Sequence, residues 1–283
     1  CKKEYTDPMN RRFHAQTVAC PECGPQVHLA THDGQPMNSK DPIREAGKLL
    51  EEGNIFAVKG YGGFHVATST TKDEPKTRLR TAKHRAQKPF AIMARDLETA
   101  NTFVEIGRLE AKLLTSHVRP ILLLQKSDNY YLSDLIAPGL HNIGVMLPYT
   151  GLHFMLFDGI KEPAFLMTTA NPPNEPIVTE NEEAVKNLGS LVDYFLFHNR
   201  LIAHRCDDSV ARLHDSENVS LIRRSRGYVP EPIRLKWQFE KCVLGLGAEL
   251  NSTSCILHKG KAFMSQHVGD VENLETLQFH KNA

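Results

Sequence analysis

The sequence lacks any apolar run approaching the ~18 residues that a membrane span needs, and its start is not a charged segment followed by an apolar one. A membrane-spanning or secreted protein is therefore not expected. Net charge is nearly absent as well. Thirty-four basic residues face 33 acidic ones, so any functional charge has to be local. Common catalytic signatures are missing. There is no P-loop, no G-x-S-x-G elbow and no H-E-x-x-H spacing among the 14 histidines, and Gly60-Tyr-Gly-Gly is too short for a dinucleotide fingerprint. No internal repeat or low-complexity tract is visible. The six cysteines are too unevenly placed for a disulfide scaffold: three fall in the first 23 residues, and Cys206, Cys242 and Cys255 are scattered. That pattern points to a reducing, cytoplasmic setting.

What is present begins at the N-terminus. Cys20 and Cys23 form a C-x2-C knuckle followed by Gly-Pro, the tight turn that aims two thiolates at one tetrahedral ion. Cys1 stands at the spacing of the pattern C-x2-C-x18-C-x2-C, with the first cysteine of that pattern expected upstream. Zinc held by Cys1, Cys20 and Cys23, with His14, water or another residue as fourth ligand, is the expectation. The competing reading is free thiols in a loop. The same spacing implies that the chain is an interior part of a longer protein.

Beyond the knuckle, helical and strand patterns alternate. Asp41 and Pro42 open a helix as N-cap and first residue, and Gly53 closes it. Ile43, Ala46, Leu49 and Leu50 share one face. Strands are expected at 55–58, 90–94, 121–124, 144–147, 165–168 and 194–197. Helices are expected at 97–105, 109–116, 152–158 and 180–188, and a strand pair at 209–213 and 219–223. This alternation with a few hairpins means α/β with a mixed sheet. Pro230, Pro232 and an aperiodic charged stretch mark a boundary in 229–241. Short strands then begin another unit.

Chemistry can reside in three places. Residues 76–88 hold six Lys or Arg and no acid, and Lys83, Arg85 and Lys88 cluster before a strand. Such a stretch suits a triphosphate, with a solvated helix face or a nucleic-acid patch as competing readings. Thr169 and Asn171 lie where a strand exits into a Pro-rich loop, and ligands bind at strand ends in open α/β sheets. The third place is 198–209, with Arg200, Arg205, Asp207, Asp208 and Ser209, joined by the basic turn through Arg226. It reads as an anion clamp or as a structural ion-pair network. His65, His84 and His153 are further candidates.

Taken together these motifs resemble the HypF carbamoyltransferases of nickel-iron hydrogenase maturation. The resemblance rests on Cys1-x18-Cys20-Pro-Glu-Cys23-Gly-Pro, Lys59-Gly-Tyr-Gly-Gly-Phe-His65, Lys83-His-Arg85-x2-Lys-Pro89, Thr169-Ala-Asn171, His198-Asn-Arg200 and Ser265-Gln-His-x-Gly-Asp270. It implies a partial zinc finger at 1–40, a YrdC-like domain at 41–234 with a twisted mixed open sheet and basic concave groove, and the start of a carbamoyl-transfer domain at 235–283. It also implies ATP with Mg²⁺, carbamate from carbamoyl phosphate, a carbamoyl-adenylate intermediate, and HypE as the protein acceptor at its C-terminal cysteine. Lys83, Arg85, Thr169 and Asn171 match the family's Lys-x-Arg and Ser-x-Asn pairs and are expected at phosphate or carbamoyl oxygens. Arg200, Arg205, Ser209 and Arg226 are expected at phosphate or ribose, with Lys59, Tyr61 and Lys88 lining the site. Two positions depart from the pattern: Thr169 replaces the usual Ser, and Gly151 a common Pro. The alternatives are a threonylcarbamoyl-adenylate synthase serving tRNA modification and a zinc module that binds double-stranded RNA without catalysis.

Overall fold

In the computed structural model, which describes every residue except 16–18, 21, 173–174 and 216–217, the chain opens with the short helix α1 (Lys2–Thr6). Strands β1 (Val27–Thr31) and β2 (Pro36–Met37) form a hairpin, followed by α2 (Pro42–Glu51). Helix α2 begins as predicted: the Asp41 carboxylate accepts from the Arg44 N–H at 3.2 Å, Pro42 is the first helical residue, and Gly53 leaves the helix at φ +99°. The elements β3 (Phe56–Lys59), β4 (Phe64–Ser69), α3 (Asp73–Ala82), β5 (Ala91–Ala94), α4 (Leu97–Ala100) and α5 (Arg108–Thr115) come next. Then follow β6 (Ile121–Gln125), β7 (Asn142–Met146), α6 (Gly151–Leu156), β8 (Ala164–Thr169), α7 (Asn181–Leu188), β9 (Tyr194–His198), β10 (Val210–Leu213) and β11 (Val219–Arg223).

These eleven strands form one mixed sheet in the order β11-β10-β6-β7-β5-β8-β4-β3-β9-β1-β2. The pairs β3·β9, β5·β7 and β6·β10 are parallel and the rest antiparallel. Side chains alternate between faces, as a pleat requires. Along β8, Leu166 packs with Leu79, Leu114 and Leu188 under α3, α5 and α7, whereas Phe165 and Met167 pack with Leu50 and Leu156 under α2 and α6. Both faces of the sheet are covered by helices, which explains why its central strands are nearly continuous apolar runs.

One expected helix is shorter than its pattern. Only Leu97–Ala100 is helical, because the next residues turn to bury Phe103 and Val104 in the core, and Val104 bridges to Lys126. At the C-terminal end, β12 (Ile233–Arg234), β13 (Val243–Leu246), β14 (Ser254–His258) and β15 (Lys261–Met264) make a separate antiparallel sheet, and α8 (Leu274–Asn282) follows. Among the described residues no helix is long and apolar enough to cross a membrane.

Candidate functional site

Helix α3 carries the first part of the basic stretch. Lys76, Leu79, Arg80 and Lys83 are spaced i, i+3, i+4 and i+7 and so share one helix face, and that face turns inward. Lys76 is fully buried, donates to the Ser69 carbonyl at 3.1 Å and to the Lys72 carbonyl, and is pushed down to about 8 by burial. Arg80 is buried too. Its guanidinium donates to the carbonyls of Arg85 at 2.6 Å, Ala86 at 3.0 Å and Leu135 at 2.8 Å, and it stacks on the Phe90 ring. Lys76 and Arg80 therefore organise backbone, which corrects the expectation that the whole 76–88 stretch faces a triphosphate.

Lys83 caps the C-terminus of α3, and its Nζ donates to the Thr169 carbonyl at 3.0 Å and the Asn171 carbonyl at 3.3 Å. Thr169 ends β8. Its hydroxyl donates to Asn171 Oδ1 at 3.0 Å, and Asn171 Nδ2 donates to the Glu175 carbonyl at 2.7 Å, which shapes the exit loop. Arg85 donates to the Thr168 hydroxyl at 3.1 Å and to the Pro89 carbonyl at 2.5 Å, with its guanidinium 4.6 Å from the Phe90 ring centre. Lys83, Arg85, Thr169 and Asn171 are thus brought together. Along with His84 and Lys88 they line a cavity of about 500 Å³. A second cavity of about 160 Å³ shares Lys88, Thr169 and Asn171 and is walled by Asp207, Arg223 and His267.

The electrostatics of this corner are one-sided. Among the described residues, no carboxylate forms an ion pair with Lys83, Arg85 or Lys88. Burial, then the charges of Arg85 and Lys88, push Lys83 down to about 8. Burial and the neighbouring arginines Arg80 and Arg223 also lower Arg85, to about 10, which leaves it charged at neutral pH. Partly desolvated cations without counter-charge form a site that an anion would stabilise.

The remaining candidates, Lys88 apart, lie outside these two cavities. Lys59 is buried at the end of β3, with its Nζ donating to Asn181 Oδ1 at 2.7 Å. Ser209 is fully buried; its hydroxyl donates to the Arg226 carbonyl at 2.9 Å and accepts from the Ser225 N–H at 2.8 Å. Arg226 donates to Asp208 at 2.7 Å and to the Val118 and Arg119 carbonyls, and covers the Tyr149 ring at 3.6 Å. For these three the structure gives internal partners. Arg205 pairs with Glu183 at 3.8 Å and lines neither of the two cavities. Arg200 donates to the Cys23 carbonyl at 3.1 Å, on the side of the knuckle. Tyr61 is exposed, with its edge toward Tyr149, and Lys88 is exposed at the cavity rim.

Of the histidines, His84 lines the larger cavity, whereas His65 and His153 are buried. His65 Nε2 lies 2.9 Å from Asp208. Burial alone would raise the Asp208 pKa, but the charges and hydrogen bonds of Arg226 and His65 hold it well below the usual carboxylate range. His153 packs edge-on to Tyr149 and is pushed down to about 3, chiefly by burial.

At the N-terminus, the ligand atoms of Cys1, Cys20 and Cys23 all lie within 4.8 Å of one another. The Cys20–Cys23 sulfur separation of 3.7 Å is close to the span of two zinc–sulfur bonds of about 2.3 Å at a tetrahedral angle, whereas the Cys1 and Cys23 sulfurs, 2.8 Å apart, are nearer than that span, so the fit rests on the three thiolate donors. The donor set fits zinc. His14 does not join it among the described residues; its ring stacks on Tyr5 and Phe13. Pro21 of the knuckle, and Pro173 and Asn174 of the exit loop, lie outside the described residues.

Arg80 and His267 were not among the site residues expected. The i, i+3, i+4, i+7 stripe of α3 carried a signal for Arg80. Nothing local to His267 pairs it with Lys88 or Thr169, far away in sequence.

The Sua5/YciO/YrdC family model, described as Telomere recombination, matches residues 48–225. A HypF finger matches residues 1–30 and a HypF Kae1-like domain residues 238–283. A probable carbamoyltransferase HypF of Methanocaldococcus jannaschii is 44% identical, with all of this chain and 43% of that protein covered. Carbamoyltransferase HypF2 of Cupriavidus necator is 43% identical over 98% of this chain and 42% of its own length. The chain thus spans less than half of these relatives. Among solved structures, HypF from T. kodakarensis superposes with a TM-score of 0.92 at 44% identity, covering all of this chain and 37% of that one. A full-length HypF in a phosphate- and nucleotide-bound form gives 0.90 at 40% identity, covering all of this chain and 36% of that one. Sua5 of P. abyssi, at 19% identity and a TM-score of 0.57, covers 68% of this chain and 54% of its own and shares the fold. The chain belongs to the Sua5/YciO/YrdC family, and it carries that fold in the HypF arrangement, with a HypF finger before it and a HypF Kae1-like segment after it.

Proposed function

We propose that the chain binds ATP and carbamate and forms carbamoyl-adenylate, as one part of a HypF carbamoyltransferase acting in hydrogenase maturation. The observation that carries this reading is the cluster of Lys83, Arg85 and Lys88, without carboxylate partners among the described residues, beside Thr169 and Asn171 in a cavity of about 500 Å³. The similar full-length HypF, solved with phosphate and nucleotide bound, supports it. A carbamate oxygen attacks the α-phosphorus of ATP. The new oxygen–phosphorus bond forms as the bond to the bridging oxygen breaks, and pyrophosphate leaves with the electron pair and the Mg²⁺ that arrived with ATP. Charge grows on the phosphate oxygens, where Lys83 and Arg85 stabilise it, and Thr169 and Asn171 hold phosphate or carbamoyl oxygens. Water must be kept out, because carbamate and the mixed anhydride both decompose in it.

In the complete enzyme, a sulfur–carbonyl bond to the C-terminal cysteine of HypE then forms and AMP leaves. Within this proposal, 1–40 serves as the finger, 41–234 as the adenylate-forming domain and 235–283 as the beginning of the transfer domain, all in the cytoplasm. The test is exchange of labelled pyrophosphate into ATP by the chain with Mg²⁺ and carbamate. Exchange that falls about a hundredfold in Lys83→Ala is expected. Absence of both exchange and ATP binding in the unmodified chain would overturn the proposal, and exchange dependent on threonine would replace carbamate by threonylcarbamate.

A further inference from the structure

The smaller cavity joins two parts of the chain that the sequence separates. Lys88, Thr169 and Asn171 form one side of it, and they also line the larger cavity. The opposite side comes from Asp207 and Arg223 and from the loop between β15 and α8, including His267. That loop is held from behind. The Ser252 N–H donates to the Gly269 carbonyl at 2.8 Å, the Val268 N–H to the Ser252 carbonyl at 3.0 Å, and the Asn251 N–H to Asp270 at 2.7 Å. Val268 and Ser252 are buried, so the backbone carrying His267 is anchored.

The His267 ring itself differs from its neighbours. Asp270 is committed to Asn251, and Arg223 lies 3.5 Å from Asp207. Among the described residues, nothing donates to the His267 ring or accepts from it, although it faces a cavity lined by the candidate catalytic residues. Burial first, and then the charge of Arg223, lower its pKa, with Lys88 acting the same way and Asp207 and Asp270 opposing. A neutral imidazole carries one N–H donor. Glu175 also lines this cavity, but with Arg223 and Lys88 beside the ring the chemistry that this donor fits is a phosphate oxygen.

We propose that the 265–270 loop completes the wall of the nucleotide site and that His267 is a substrate-binding residue, donating to a phosphate oxygen of ATP or of the departing pyrophosphate. This rests on the nucleotide reading above. A region outside the eleven-stranded sheet thereby contributes to the adenylate-forming site.

The test is calorimetric binding of ATP and of pyrophosphate, each with Mg²⁺, to the full chain and to His267→Ala and His267→Gln, with a thermal melt of each variant. Loss of one hydrogen bond to a charged oxygen predicts about tenfold weaker pyrophosphate binding in His267→Ala at an unchanged melting temperature. His267→Gln, which keeps a donor, is expected within about threefold of the unmodified chain. Unchanged affinity in His267→Ala would overturn the proposal while leaving the nucleotide reading intact. Equal losses in both variants with a lowered melting temperature would assign His267 a structural role and overturn it as well. Failure of the unmodified chain to bind either ligand would remove the nucleotide reading and this proposal together.

Discussion

The Lys83 ammonium donates to the Thr169 carbonyl at 3.0 Å, joining the end of α3 to the end of β8. Because this ammonium is buried and faces Arg85 and Lys88, its pKa falls from 10.5 to about 8. In the free chain the proton is therefore lost as pH rises through about 8, whereas a bound phosphate would restore it. Pyrophosphate affinity is expected to be level below pH 7 and to fall about tenfold between pH 7 and 9. Binding near pH 8 should also take up a proton, which calorimetry in buffers of different ionisation enthalpy reads directly. An affinity that is flat across this range would show that Lys83 does not meet the anion. For stability the sign is opposite to that of an ion-paired lysine. The unfolded chain holds this proton more tightly, so the buried charge costs stability fully below about pH 8, and the cost fades toward pH 10.5.

Arg80 acts one step behind the site. Its guanidinium collects the carbonyls of Arg85, Ala86 and Leu135, and so fixes the loop that presents Arg85 and Lys88. Arg80→Met would leave those buried acceptors without their donor, at about 2 kcal/mol of stability. Urea unfolding measures that loss. Phosphate binding should weaken as well, since Lys83 and Arg85 would no longer share one geometry. Loss of stability with unchanged pyrophosphate affinity would mean that the loop keeps its shape without Arg80.

Much of the fold was legible because its signals are local. Asp41, Pro42 and Gly53 specify α2 through capping and a left-handed exit, and the apolar runs of β6, β8 and β9 announce strands buried on both faces. The grouping of Lys83, Arg85, Thr169 and Asn171 was reached through resemblance, since nothing short-range ties a helix C-cap to a strand end far along the chain. The roles of individual cations were not legible. Arg85 and Arg226 both sit in basic turns, and only tertiary partners separate them: Arg226 meets Asp208 at 2.7 Å, whereas Arg85 meets no carboxylate among the described residues. The internal partners of Lys59 and Ser209 were not legible for the same reason, since Asn181 and Ser225 come from elsewhere in the chain.

The cysteine cluster gives a prediction about composition and about extent. Purified without chelator, the chain should carry about one zinc, and Cys20→Ser or Cys23→Ser should lose it. The knuckle touches the sheet through Arg200 donating to the Cys23 carbonyl at 3.1 Å and the Gln26 N–H donating to Asn199 at 2.9 Å. Those contacts are exposed. Chelation is therefore expected to increase hydrogen exchange near residues 20–26 while leaving protection in β4, β5 and β8 unchanged. Absence of zinc by elemental analysis would sink the metal assignment, and loss of protection throughout the sheet would show that the finger supports the core.

Asp208 offers the sharpest test of the buried network behind β4. It accepts from Arg226 at 2.7 Å and lies 2.9 Å from His65, and all three sit beneath the turn between β3 and β4. That turn approaches the 206–208 loop so closely that a Cβ on Gly62 would lie 2.1 Å from the Cys206 carbonyl oxygen. Asp208→Asn removes the counter-charge of a buried arginine that covers Tyr149, and a loss of about 3–5 kcal/mol is expected at pH 7. The Asp208 pKa is depressed in the folded state, so its contribution is fully present above the unfolded value near 3.8 and is lost as pH falls below it. The gap between the unmodified chain and Asp208→Asn in urea unfolding should thus be constant from pH 7 to about 5 and narrow progressively below 4. A gap that stays constant at pH 3 would mean that the variant is destabilised by packing, with the charge of Asp208 contributing little.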